Sequence, residues 1–236
     1  MIIEYVGSTI CWAIIYGFVA YYDYGCREEC GHELWPYLSR QLSMIHASIV
    51  SALAIAVILL APITVQTYVY PPTAELYDDV CLYITAIMFG YLVVDGSFLL
   101  FKRLETGWKL TFIHHFVGAA SMIMFGLYQG LYQNSLFYAL TELSTITLHL
   151  TSLAMKFNWK SVTIVAALIT WVLFLVIRIF GGLWLTLFLL DHADQIVFDF
   201  PVAGQLFILF GNAIVMSLNI YWFGLLTLSM IKTKVD

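Results

Sequence analysis

The chain has 236 residues, 62% of them hydrophobic and only 11% charged, with a mean hydropathy of +0.90. A soluble domain carries about 25% charged residues, so the composition excludes a soluble enzyme or binding module and implies an integral membrane protein. The net charge is −5, which argues against a nucleic-acid partner.

A membrane-spanning helix needs about 20 apolar residues. Seven runs qualify, at about 6–22, 43–62, 80–101, 110–127, 132–155, 161–189 and 205–231. They are continuous rather than alternating, which favours helices over a barrel. The connections are too short for a soluble domain, so residues 1–236 form a single membrane domain.

The first run has no basic leader and no small-x-small cleavage site, so it reads as a helix and not a signal peptide. The inner loop after it carries Cys26, Cys30 and His32 in CREECGH. Two Cys and one His fall short of a complete metal site, so no metal is expected and the thiols read as reduced. Cys11 and Cys81 fall near the outer ends of their runs, where an oxidising compartment could join them.

From the second run on, each carries a polar stripe. The second opens with Arg40, Ser43 and His46 on one helical face. The third holds Asp95, about two turns from its inner end. The fourth has adjacent His114 and His115 close to the same end. The fifth carries Tyr138, Glu142, Thr145, His149 and Ser152, whose spacings of 4, 3, 4 and 3 put them on one face. The sixth contributes Arg178, the seventh Asn212 and Asn219. Ionisable groups inside a bilayer are costly and normally face a bundle interior. The stripes therefore point inward, more densely toward the inner side. Ser43, Thr145, Ser152 and Asn212 also suit interhelical hydrogen bonding, and Asp95 can pair with one of the two histidines. GLYQG, at 126–130, reads as a turn.

The basic residues orient the chain. Arg27, Arg40, Lys102, Arg103, Lys109, Lys156, Lys160, Lys232 and Lys234 all fall on one side if there are seven spans. The other side has no Lys or Arg, but it has Glu4, Glu75, Asp78, Asp79, Asp191, Asp194 and Asp199. By the positive-inside rule the N-terminus is out and the C-terminus in.

Six short segments carry a family resemblance: RQLSMIHA at 40–47, GYLVVD at 90–95, FIHH at 112–115, LTELST at 140–145, RIF at 178–180 and LNIYWF at 218–223. In this order the chain resembles the TLC domain family, which includes the ceramide synthases, over about 38–230. It looks most similar to the small TLC-domain-only proteins. The resemblance implies seven transmembrane helices, six of them enclosing a lipid-accommodating cavity and the first span peripheral. In ceramide synthases paired histidines and nearby acids serve acyl transfer from acyl-CoA to a sphingoid amine. His114 and His115 match the paired histidines, with Asp95 as orienting partner.

Glu142 and Thr145 stand where those enzymes tend to carry two aspartates, and Ile146 and His149 replace a proline and an asparagine of the family pattern. The expected function is therefore lipid handling in an intramembrane cavity, without catalysis or cofactor. The expected pocket is Arg40, His46, Tyr91, Glu142, Thr145, His149, Arg178 and Asn219. The alternatives are an accessory subunit of a larger membrane complex, for example in the mitochondrial inner membrane, and an acyl-CoA N-acyltransferase. The partners are membrane lipids, with protein partners in the subunit reading. The family suits the endoplasmic reticulum or plasma membrane.

Overall fold

Backbone N–H and C=O groups have no water to bond with in hydrocarbon, so apolar runs of this length fold as helices. The computed structural model describes residues 1–30, 35–60, 75–102, 107–127, 132–191 and 202–232. Its elements are α1 (Ile2–Cys30), α2 (Trp35–Leu60), α3 (Glu75–Lys102), α4 (Trp108–Leu127), α5 (Tyr132–Thr141), α6 (Leu143–Lys156), α7 (Lys160–Leu173), a π-helical stretch (Phe174–Gly181), α8 (Gly182–Asp191) and α9 (Val202–Lys232). The chain is an integral membrane protein built of helices.

Six helical segments are long and apolar enough to cross a membrane: Ile2–Gly25, Tyr37–Leu60, Asp79–Phe101, Trp108–Leu127, Lys160–Asp191 and Gly204–Ile231. The run 132–155, expected as one span, is instead α5 and α6 with a turn at Glu142 between them. The helix tightens there: Glu142 N–H bonds back to Ala139 and Thr145 N–H to Glu142, each three residues away. α1 also runs on through Cys26 to Cys30, so that segment has a helical backbone rather than a loop. The side chains of 26–36, and all of 31–34 with His32, lie outside the described residues, as do 128–131 of the expected turn. Cys11 and Cys81 are free thiols, one exposed and one buried.

Cross-contacts show that successive segments alternate in direction. α1 and α3 run parallel, with Tyr5 beside Phe89, Trp12 beside Tyr91 and Tyr16 beside Phe98. α4 returns antiparallel to α3, and Tyr5 near the start of α1 donates to the carbonyl of Met122 late in α4. Lys156, at the end of α6, lies over the Tyr37 ring at the start of α2. Asn158, with φ 56°, takes the left-handed conformation that turns α6 into α7. Lys109, Lys156 and Lys160 therefore mark one end of the bundle, called the basic end below.

α2, α3, α4, α9, the α7–α8 segment and α5–α6 follow one another round a ring, and α1 packs outside it on α3 and α2. α5 also reaches across to α3 and α4, whereas the main contacts of α6 are with α2, α7 and α5. The ring is thus filled at the α5 level and less tightly crossed at the α6 level, nearer the basic end. Large apolar side chains such as Ile3, Ile14, Ile164, Phe210 and Leu228 are exposed on the outer surface, as a lipid-facing surface requires.

Candidate functional site

The break between α5 and α6 frees a carbonyl. Thr141 O accepts from Ser144 Oγ at 2.8 Å and from Arg178 Nε at 3.2 Å. Side chains thus replace the helical hydrogen bonds that the tightened turn displaces. Arg178 comes from the π-helical stretch, a local widening often found at functional positions. Its Nε donates to Ser144 Oγ at 2.7 Å, Nη2 to Thr145 Oγ1 at 2.9 Å and Nη1 to Asn219 Oδ1 at 3.5 Å. Glu142 Oε1 is 3.8 Å from Nη2, and the Phe174 ring lies against the guanidinium. The guanidinium is buried and held by protein groups on three sides.

A second cluster forms where α1, α2, α3 and α4 meet. His115 Nδ1 is 3.1 Å from Asp95 Oδ2, within ion-pair distance but without hydrogen-bond geometry. Tyr16 donates to the other carboxylate oxygen at 2.6 Å. Tyr91 donates to Ser43 Oγ at 2.8 Å and stacks on His46, with centroids 3.9 Å apart and planes 11° apart. Gly96 lets α3 and α4 approach, since a Cβ there would lie 3.3 Å from that of His115.

His114 joins the clusters. Successive helical side chains diverge by about 100°, so His115 turns to Asp95 while His114 turns to Trp222 of α9, 5.3 Å away and edge-on. His114 lines a cavity of about 20 Å³ with Tyr138, Thr141, Arg178, Asn212 and Asn219. That is room for about one water. Its Nδ1, like that of His46, is buried without a hydrogen-bond partner among the described residues. Arg40 and His149 are half-buried on α2 and α6. A larger apolar groove, about 370 Å³, lies between α1, α3 and α4 beside Tyr5, Phe89 and Ile123, toward the other end.

Asp95, His115, Tyr91 and His46 therefore form one group, and Glu142, Thr145, Arg178 and Asn219 the other, with His114 between them. Among the described residues, Ser152 bonds within its own helix, to Leu148 O. The sequence reading missed Tyr16, Trp12, Thr141 and Trp222. The first two had a signal: Tyr5, Trp12, Tyr16 and Asp23 are spaced 7, 4 and 7 apart, one helical face, and all four are buried.

The family model described as a TLC domain matches residues 38–228, most of the chain. The chain belongs to the TLC domain family. No curated protein and no solved structure matches it. The match begins inside α2, so α1 lies outside the TLC region yet supplies the Tyr16 hydroxyl to Asp95.

Proposed function

We propose that this TLC-domain protein binds a membrane lipid by its acyl chain in the interior of the ring, entering from the basic end, and does not catalyse a reaction on it. The observation that carries the reading is the meeting of ionisable and amide side chains from α3, α4, α6, the π-helical stretch and α9 inside the bundle, where lipid-facing placement would cost about 2.5–3.5 kcal/mol per mid-span charge. In this reading α5 and α6 together form an interrupted span, which makes seven, with the basic end on the cytosolic or matrix side. An added cysteine within 102–109 is then labelled from that side and one within 70–79 from the opposite side; labelling of both from one side overturns the arrangement.

The absence of catalysis is argued from Glu142 and Thr145. Both stand where ceramide synthases tend to carry aspartates, and both are turned to Arg178. A carboxylate already paired with a guanidinium is a poor general base. The reading sets the protein in the endoplasmic reticulum or plasma membrane, with lipids as its partners.

One observation favours acyl transfer as a second reading. Asp95 Oδ2 lies 3.1 Å from His115 Nδ1, close enough to serve as the orienting partner that a general base requires. A sphingoid amine would attack the thioester carbonyl of acyl-CoA, His115 would take the amine proton, and the thiolate would leave and be protonated.

Lipid analysis of the purified chain, together with an assay using palmitoyl-CoA and sphinganine, separates the two. We expect a retained acyl lipid, no N-acyl product, and a changed lipid profile in His114→Ala. Product formation by the unmodified chain, abolished in His115→Ala, would establish the second reading instead.

A further inference from the structure

Two small voids lie in line along the ring interior, and Tyr138 and Asn212 line both. The first is the cavity beside His114, Arg178 and Asn219. The second is bordered by Ser121, Asn134, Leu185 and Ile208. Their order is the same on each segment that lines both. From the first to the second, α4 advances from His114 to Ser121 and α5 goes back from Thr141 to Asn134. The sixth-span segment advances from Arg178 to Leu185, and α9 goes back from Asn219 past Asn212 to Ile208. Seven residues of helix correspond to about 10 Å, so the voids are successive levels of one column.

A cross-tie separates them. Tyr138 of α5 donates to Asn212 Oδ1 at 3.3 Å, and Asn212 Nδ2 donates to Thr186 Oγ1 of α8 at 2.7 Å. The groups satisfy one another across three helices. Beyond the tie the lining is chiefly apolar, with Phe125, Leu185, Leu189, Phe207 and Ile208, a suitable environment for methylenes. An alkyl tail advancing past it must displace the Tyr138 ring and leave buried polar groups unpaired.

We infer that the Tyr138–Asn212–Thr186 cross-tie is the floor of the lipid site and sets the longest acyl chain the protein holds. The inference rests on the lipid-binding reading above. The level of His114 and Arg178, which has room for about one water when no lipid is bound, widens to admit the end of an acyl chain entering from the basic end, and the chain stops at the tie. Without the tie, the second void becomes part of the site.

The test uses the full chain, in cells fed a fatty acid with a photoactivatable diazirine next to its terminal carbon. Such a probe enters every acyl lipid those cells make. In the unmodified protein, cross-links should map to Gly182, Val215 and Met216, not to Leu189 or Phe207. In Tyr138→Ala and in Asn212→Ala, the ratio of longer to shorter chains among co-purified lipids should rise about tenfold, the scale of one lost buried hydrogen bond. Cross-links should then reach Leu189 and Phe207. Tyr138→Phe keeps the ring and should move the ratio far less. Cross-links at Leu189 or Phe207 in the unmodified chain overturn the floor, as do unchanged chain lengths in both alanine variants. An unmodified chain that carries no lipid overturns the lipid-binding reading itself, and this inference with it.

Discussion

Arg178→Met destabilises the protein by about 3–5 kcal/mol, the cost of leaving one member of a buried ion pair without the other. The guanidinium cannot be deprotonated to escape burial. It is held by Thr141 O, Ser144, Thr145, Glu142 and Asn219. Its removal leaves Glu142 facing the bundle interior and deprives the α5–α6 break of one of the two donors on the Thr141 carbonyl. The loss is read as a fall in the thermal midpoint of the detergent-solubilised chain. Replacing both charges, as Arg178→Met with Glu142→Leu, should recover most of it, because apolar substitutes for a whole buried pair are often neutral. A single variant within about 1 kcal/mol of the unmodified chain would show that Arg178 is not the tie between α5, α6 and α9.

This network shows what could be read from residue order and what could not. Spacings of three and four set Glu142 and Thr145 on one face of a helix, and a lone arginine in an apolar run had to face the interior. Those inferences follow from helical geometry and the cost of charge in hydrocarbon. The break at Glu142 has no such signature. LTELST contains neither proline nor glycine, and the turn depends on donors that the distant Arg178 and the nearby Ser144 bring to Thr141 O. The π-helical stretch is equally silent, since FLVIRIFG differs little from the apolar residues around it. The inward face of α1 was visible in the spacing but went unread. The aromatic face of Tyr5, Trp12 and Tyr16 resembles an interfacial belt, and only the packing shows it buried against α3. Of the polar stripes, Tyr138, Arg178, Asn212 and Asn219 line, with His114, one void of water size. Stripe spacing carries no information on how closely the helices pack.

Gly90→Leu should detach α1 from α3. A Cβ at Gly90 would lie 2.7 Å from the carbonyl carbon of Ser8 and 2.8 Å from the nitrogen of Thr9. These are backbone atoms of α1, so no rotamer change relieves the clash and the helix itself has to move. Overpacking of this kind costs about 1–3 kcal/mol. The displacement also pulls Tyr16 from Asp95, a hydrogen bond to a carboxylate of the class that contributes roughly 1.5–3 kcal/mol. A double-mutant cycle distinguishes a local clash from loss of docking. Tyr16→Phe alone lowers the thermal midpoint, but in the Gly90→Leu background it should have little further effect, because its partner is already out of reach. Full additivity of the two changes would mean that α1 stays seated and that the clash is absorbed near residue 90. Non-additivity would make the helix outside the TLC region a working part of the Asp95–His115 site, positioned through a glycine 5 residues before that aspartate.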